Sequence, residues 1–473
     1  MPTDPRRLRG DAPLLDAWLR FQEEAPTPFT IPGHKQRRDL VGDVIAGDVP
    51  LYAGLDTMKL SRGVVDEAED RAGRLWGADL CRFSVGGSTH GNQALALAVG
   101  RPGDTVVVAR TLHRSMLLGL VLAGLNPVWV RPEVDPGHGL PVGVTAAALE
   151  AALASAPHAK AVFIGDPSYV GTVGDVGSLA EVAHRYGAPL VVDAAWGAHL
   201  GFHPALPPHA LAAGADALVT SAHKALPAWS QGAIVLARSR RISRSRLDAG
   251  VEATATTSPA GAILASIDAA RALLQRDGHA LLDEVITAVA SARRRLERVA
   301  GLVVLDGPTV DATRLVVVLP GTGADGNDVE ADLLAAGMPV EMADRDTVVA
   351  MITLADTRRG IEDFALALVE AVERHRGPAR PVVSAGVWSV DPVVVTSPRE
   401  AFFARRESVP VERAVGRVCA ELVAPYPPGI PVLAPGEEVT VDAVDALRAA
   451  RAAGSRIAYA ADPTVRTLDV VAE

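Results

Sequence analysis

The stretch TSAHKALPAWSQGA, Thr220 to Ala233, sets a serine, a histidine and a lysine directly after a β-branched run. Lysine is scarce in this chain. Of 46 basic residues only four are lysines, at positions 35, 59, 160 and 224, and the rest are arginines. Arginine serves a surface as well as lysine does, but a guanidinium keeps its proton, whereas an amine can lose it and attack a carbonyl. Lys224 is therefore the candidate nucleophile. Asp193 directly follows the apolar run Pro189–Val192, where an acid is costly to bury unpaired and is expected to meet a cation. In GGSTHGNQALALAV (86–99) two glycines, Ser88 and Thr89 open a helix, and free N–H groups beside hydroxyls make an anion site. Read alone, that segment is more readily a plain helix cap. His113, in ARTLHRSM (109–116), stands at another helix start and by itself reads as a cap or surface residue.

The elements that must position these groups are short apolar runs alternating with helical patterns between about 80 and 237. The runs are DTVVVA (104–109), PVWVRP (127–132), AKAVFIGD (159–166), APLVVDAA (188–195), DALVTS (216–221) and GAIVLA (232–237). Being apolar throughout, they are expected to be strands buried on both faces of an open, mixed and mostly parallel sheet with helices on either side, an α/β fold. Ligands of such sheets sit beyond the strands' carboxyl ends. Four strand ends then converge on hydroxyls, an imidazole, an aspartate and one lysine. Pyridoxal phosphate needs that set: an amine for its aldehyde, an acid for its ring nitrogen, a ring-stacking side chain and a phosphate cup.

The spacing in 86–99 is not that of a dinucleotide or nucleoside triphosphate loop. The net charge of −10, with both signs interspersed, argues against a nucleic-acid partner. Cys81 and Cys419 form no disulfide framework or metal spacing, so no metal site is expected. The longest apolar stretch, MLLGLVLAGL (116–125), is about half a membrane span, and no signal peptide is evident, so a cytoplasmic enzyme without a membrane partner is expected.

Beyond these residues the chain resembles the fold-type I, PLP-dependent ornithine/lysine/arginine decarboxylases. The likeness rests on TIPGHK (30–35), VGGSTHGNQA (85–94), ARTLHRSM, VDAAWGAH (192–199), SAHKALPAWSQGA (221–233), SPREAFFA (397–404) and GRVCAELVAPYPPGIPVLAPGE (416–437), in the family's order. It implies Lys224 as the Schiff-base lysine, Asp193 as the partner of the pyridine nitrogen and His113 as the ring-stacking imidazole. Ser88, Thr89, Ser221 and His223 would hold the phosphate, Gly87 would admit the backbone, and Ala195 would lie under the opposite ring face. Lys224, His223, Asp193 and His113 are the catalytic candidates. The implied reaction is decarboxylation of a small-molecule basic amino acid, arginine or lysine ahead of ornithine, in a homodimer or higher homo-oligomer. His223 or Lys224 would return the proton to Cα.

Trp196 replaces a histidine common in the family, and Arg114 a lysine. A short form without the N-terminal wing domain is expected. The domain expectation is an N-terminal arm (1–50), a large cofactor domain (51–300) and a smaller α+β C-terminal part (301–473), joined by a long helical pattern over 259–300. An aminotransferase or lyase on the same scaffold is the alternative, with Arg314 the candidate clamp for a substrate carboxylate. A catalytically silent regulatory homologue would be expected to lose the lysine or the aspartate. Glu341 reads as an exposed acid or a partner for the substrate's distal cation. Tyr426 and Glu437 read as site lining or as part of a packed proline-rich loop, and Lys35 as structural or at the substrate mouth. Lys59 and Lys160 read as surface residues.

Overall fold

The computed structural model describes residues 4–24, 31–49, 63–135, 137–382, 390–426, 429–452 and 454–472. Through the large domain the strands are β1 (Leu80–Ser84), β2 (Thr105–Ala109), β3 (Asn126–Val130), a short antiparallel pair β4 (Glu133–Val134) and β5 (Pro141–Gly143), then β6 (Val162–Gly165), β7 (Leu190–Asp193), β8 (Ala217–Ser221) and β9 (Ala233–Ala237). Seven of them form one sheet in the order β1-β9-β8-β7-β6-β2-β3. Only β9 runs against its neighbours, so the sheet is mixed and mostly parallel, as the apolar runs indicated. Strands β7, β8 and β9 are buried at every residue, which is why their sequences do not alternate. Parallel β2, β6, β7 and β8 deliver their carboxyl ends to one edge. Asp193 closes β7 there opposite Val219, two residues before Ser221 closes β8.

One helix, Gly261–Leu296, runs 36 residues and belongs to two cores. Ile263, Leu264, Ile267 and Leu274 pack under the large sheet, whereas Val285, Val289 and Leu296 pack in the next unit. That unit is an antiparallel sheet of β10 (Val303–Val304), β11 (Arg314–Val318), β12 (Met342–Ala343) and β13 (Thr347–Met351), ordered β10-β11-β13-β12. A third core, from Val390 to Val470, gathers the C-terminal residues.

In that last region the stretch EAFFARRESVPVERAVGRVCAELV has a helix-like pattern but is not one continuous helix. Pro398–Phe403 is a helix with a full capping box, but Arg406–Pro410 is strand β14 and only Val411–Ala414 turns helical again. Val409 favours a strand, and Pro410 has no N–H to continue a helix. The strand's partner, found after β15 (Ala424–Tyr426) and β16 (Arg456–Ala458), is β17 (Thr467–Val471), far along the chain. Residues 429–437 form a buried loop without regular structure, as their prolines suggested.

Candidate active site

Gly87 opens the helix Gly87–Val99 with a left-handed φ of +68°, and a side chain there would meet nothing within 4 Å. The turn thus needs glycine while its outer face stays open. One turn on, a Cβ at Gly91 would come within 2.4 Å of Val219, so glycine lets this helix lie against β8. The approach brings Ser88 to Ser221, hydroxyl to hydroxyl at 2.7 Å, although 133 residues separate them. Thr89 stands exposed beside them. Just past β8 a single helical turn, Ala222–Ala225, carries His223 and Lys224. The His223 Nδ1 hydrogen-bonds to the Gly232 carbonyl at 2.8 Å, which leaves Nε2 as the ring's unengaged nitrogen.

Lys224 Nζ lies 3.5 Å from the centroid of Trp196. Burial lowers its pKa and nearby Arg314 adds to that, while the charges of Asp193 and Glu341 oppose it. Asp193 is buried and held from two sides. Ala195 N donates to its Oδ1 at 3.2 Å and Asn92 Nδ2 to its Oδ2 at 2.7 Å. Asn92 Nδ2 also reaches Ser115 Oγ at 2.9 Å. His113 caps the helix Arg114–Ala123, taking Ser115 N on Nδ1 at 3.3 Å, with Ser115 Oγ at 3.0 Å from the same nitrogen. The surrounding protein lowers the His113 pKa, Asp193 opposes this, and Lys224 and Arg114 reinforce it.

The small unit adds two groups. Arg314, the first residue of β11, is buried with its guanidinium carbon 4.9 Å from the Trp196 centroid, and its Nε and Nη1 have no hydrogen-bond partner. Beside it Asp311 pairs with His199 at 3.0 Å; burial alone would raise the Asp311 pKa, but His199 and then Arg314 hold it well below the usual range. Glu341 is exposed, with its charge in reach of Lys224 and Arg314.

Lys224, Asp193, His113, Ser88 and Ser221 therefore meet at one edge of the sheet. Asn92 and Ser115 are site residues that the sequence reading missed; the available signal was Asn92 lying four residues after Ser88, on the same helix face. Glu437 does not line the site. It is a packing residue, paired with Arg110 at 2.5 and 2.8 Å, both side chains buried. Tyr426 is exposed at the end of β15. Lys160 and Lys35 are both exposed, Lys35 with a left-handed φ of +52°, and Lys59 lies outside the described residues. Among the described residues no cluster could hold a metal, and no helix is long and apolar enough to cross a membrane.

A mixed sheet with these groups at its carboxyl edge is the large domain of the fold-type I pyridoxal-phosphate enzymes. The comparisons carry this further. The Orn/Lys/Arg decarboxylase major-domain model matches residues 12–333 and the C-terminal-domain model matches 383–457, so the chain belongs to the Orn/Lys/Arg decarboxylase family. The arginine decarboxylase of Halalkalibacterium halodurans is 33% identical, over 98% of both chains. Among solved structures, the lysine decarboxylase of Francisella novicida superposes with a TM-score of 0.82 at 18% identity, covering 98% of this chain and 81% of the other. An SPT variant solved with PLP gives 0.56 at 15% identity, covering 77% and 84%. The chain is thus a decarboxylase, similar to its arginine decarboxylase relatives over nearly their whole length.

Proposed function

We propose that the protein decarboxylates a basic amino acid with pyridoxal phosphate anchored on Lys224. The observation that carries this is the convergence at one sheet edge of a buried amine, a doubly held carboxylate and a serine pair beside an open left-handed glycine turn. The donor set fits the cofactor. Ser88, Ser221 and the helix N-terminus at Gly87 would receive its phosphate, Asp193 its ring nitrogen, and His113 and Ala195 its two faces. Bound there, pyridoxal phosphate supplies an aldehyde for amino groups and a ring that takes up the electrons left at Cα when CO₂ departs.

The chain's own residues do the rest. Burial favours the neutral, nucleophilic amine of Lys224. Asp193 faces a developing positive charge with a carboxylate already oriented by two donors, so little reorganisation is needed. Trp196 offers no titratable proton, so Lys224 Nζ and the unengaged Nε2 of His223 are the groups to return a proton to Cα. Glu341 is assigned to the substrate's distal cation. The full-length likeness to arginine decarboxylases weighs toward arginine ahead of lysine. A homodimer is expected, since Ile31, Leu40, Val41 and Val44 of the N-terminal arm expose apolar side chains; light scattering tests it.

The decisive experiment is product analysis by mass spectrometry. Cofactor-loaded protein is incubated separately with arginine, lysine and ornithine. Agmatine or cadaverine supports the reading. A keto acid in place of an amine would favour transamination, the reading that the unpartnered Arg314 nitrogens beside Trp196 keep in play.

A further inference from the structure

Asn92 and Ser115 join the two groups assigned to the cofactor ring, and both are buried. A carboxylate oxygen can only accept, so the Asn92 atom facing Asp193 Oδ2 at 2.7 Å is its nitrogen. The second hydrogen on that nitrogen goes to Ser115 Oγ at 2.9 Å. With that donor in place, Ser115 turns its own hydroxyl hydrogen to His113 Nδ1 at 3.0 Å. The backbone N–H of Ser115, which can only donate, points at the same Nδ1 from 3.3 Å. Two donors on Nδ1 leave the imidazole one arrangement: its proton sits on Nε2 and the ring is neutral.

We propose that Asn92 and Ser115 are positioning residues that set the charge on both sides of the cofactor, holding Asp193 as an accepting carboxylate and His113 as a neutral, Nε2-protonated imidazole. The catalytic meaning rests on the function proposed above; the direction of the hydrogen bonds rests on the chain's own atoms. That function needs a protonated ring nitrogen at Asp193. An imidazolium stacked on that ring would set a second positive charge against it, so a neutral His113 is required. The charged groups around His113 pull in opposite directions. Asp193 favours the imidazolium, whereas Lys224 and Arg114 disfavour it, and Arg114 is seated 4.2 Å over the Tyr459 ring. Asn92 occupies one oxygen of the group that would otherwise draw a proton to His113, and Ser115 occupies the nitrogen that would take it.

The test is ¹⁵N NMR of the histidine rings in the cofactor-free chain, with His113 assigned by His113→Gln. The parent should show Nδ1 bare and Nε2 protonated. Ser115→Ala removes one hydrogen bond to the neutral form and should raise the His113 pKa by about one unit. Asn92→Leu frees the Ser115 hydroxyl to accept and should shift it the same way, while Ser115→Thr restores the parent value. In the loaded enzyme Ser115→Ala should lower kcat by about tenfold with little change in KM, and move the acid limb of kcat/KM upward with the His113 pKa. A protonated Nδ1 in the parent, or a His113 pKa that stays put or falls in both variants, overturns the proposal. Failure of the cofactor reading looks different: no visible absorbance on reconstitution and no amine product, with the His113 tautomer as stated.

Discussion

Replacing Glu437 by glutamine tests how the C-terminal unit is fastened to the site. Glu437 and Arg110 are 327 residues apart, form a two-point ion pair at 2.5 and 2.8 Å, and expose only 2% and 7% of their side chains. Ala434 N donates to Glu437 at 2.9 Å and Arg110 donates to Val432 O at 3.0 Å, so the pair is fully hydrogen-bonded in place. Glutamine keeps the shape and one acceptor but deletes the charge, leaving a buried guanidinium uncompensated. Losing one partner of a buried pair costs about 3–5 kcal/mol; the acceptor that glutamine retains reduces this to about 2–3. The loss should be local. Hydrogen exchange should show amides 432–439 opening about thirty- to a hundred-and-fifty-fold more often, with the helix Gly261–Leu296 unchanged. The double variant Arg110→Met/Glu437→Leu, with no charge left to strand, should recover to within about 1 kcal/mol of the parent. Unchanged protection in Glu437→Gln, or a double variant worse than the single one, would refute the reasoning.

Other expectations follow from the same structure. Because burial lowers the Lys224 pKa, the folded chain resists a proton that the unfolded chain binds below about pH 10. Cofactor-free Lys224→Met should therefore be more stable than the cofactor-free parent at pH 7 in urea titrations, with an advantage that shrinks toward pH 10; the same variant should lose turnover and the bound-cofactor absorbance while staying folded. Burial pushes Asp166 up to about 7, above its unfolded value, so it withdraws stability as pH rises from about 4 to 7. Asp166→Asn keeps an acceptor for Gly174 N and should gain at most about 4 kcal/mol above pH 7, and nothing at pH 4. Glu341→Gln should raise KM for arginine or lysine up to about tenfold and leave kcat near the parent value, as steady-state kinetics would show.

The parts of this molecule that could be read from sequence share a physical cause. Strands buried on both faces are apolar without a break, so β2, β6, β7, β8 and β9 announced themselves, and whatever followed each one had to stand at the sheet's edge. Lys224 and Asp193 were found that way, and scarcity of lysine sharpened the first. The missed parts are held together only in three dimensions. Nothing local in Ser88 or Ser221 announces a 2.7 Å contact across 133 residues. Asn92 looked like one polar residue among several on a helix until Asp193 and Ser115 were found on either side of it. Strand β12 is two residues long and shows no period, and β14 shows no apolar alternation because only Val409 of its five residues is buried. Glu437 could be read as site lining or as packing, and only the position of Arg110 decides between them.

That position also changes what counts as the active site's support. The corner that carries His113 is gripped by the third core at several points. Arg110, three residues before His113, is locked to Glu437. Arg114, one residue after it, lies on Tyr459, whose left-handed φ of +69° is uncommon for a side chain of that size. At the other end of the same helix, Arg399 donates to the carbonyls of Val121 and Leu122, the orphan acceptors of a helix C-terminus. A helix fixed at both ends by one unit cannot shift its N-terminal histidine unless that unit moves too. The family's two domains meet at this corner, and the geometry makes them one mechanical piece: the C-terminal residues decide where His113 stands, and under the proposed function that sets the position of the ring-stacking imidazole.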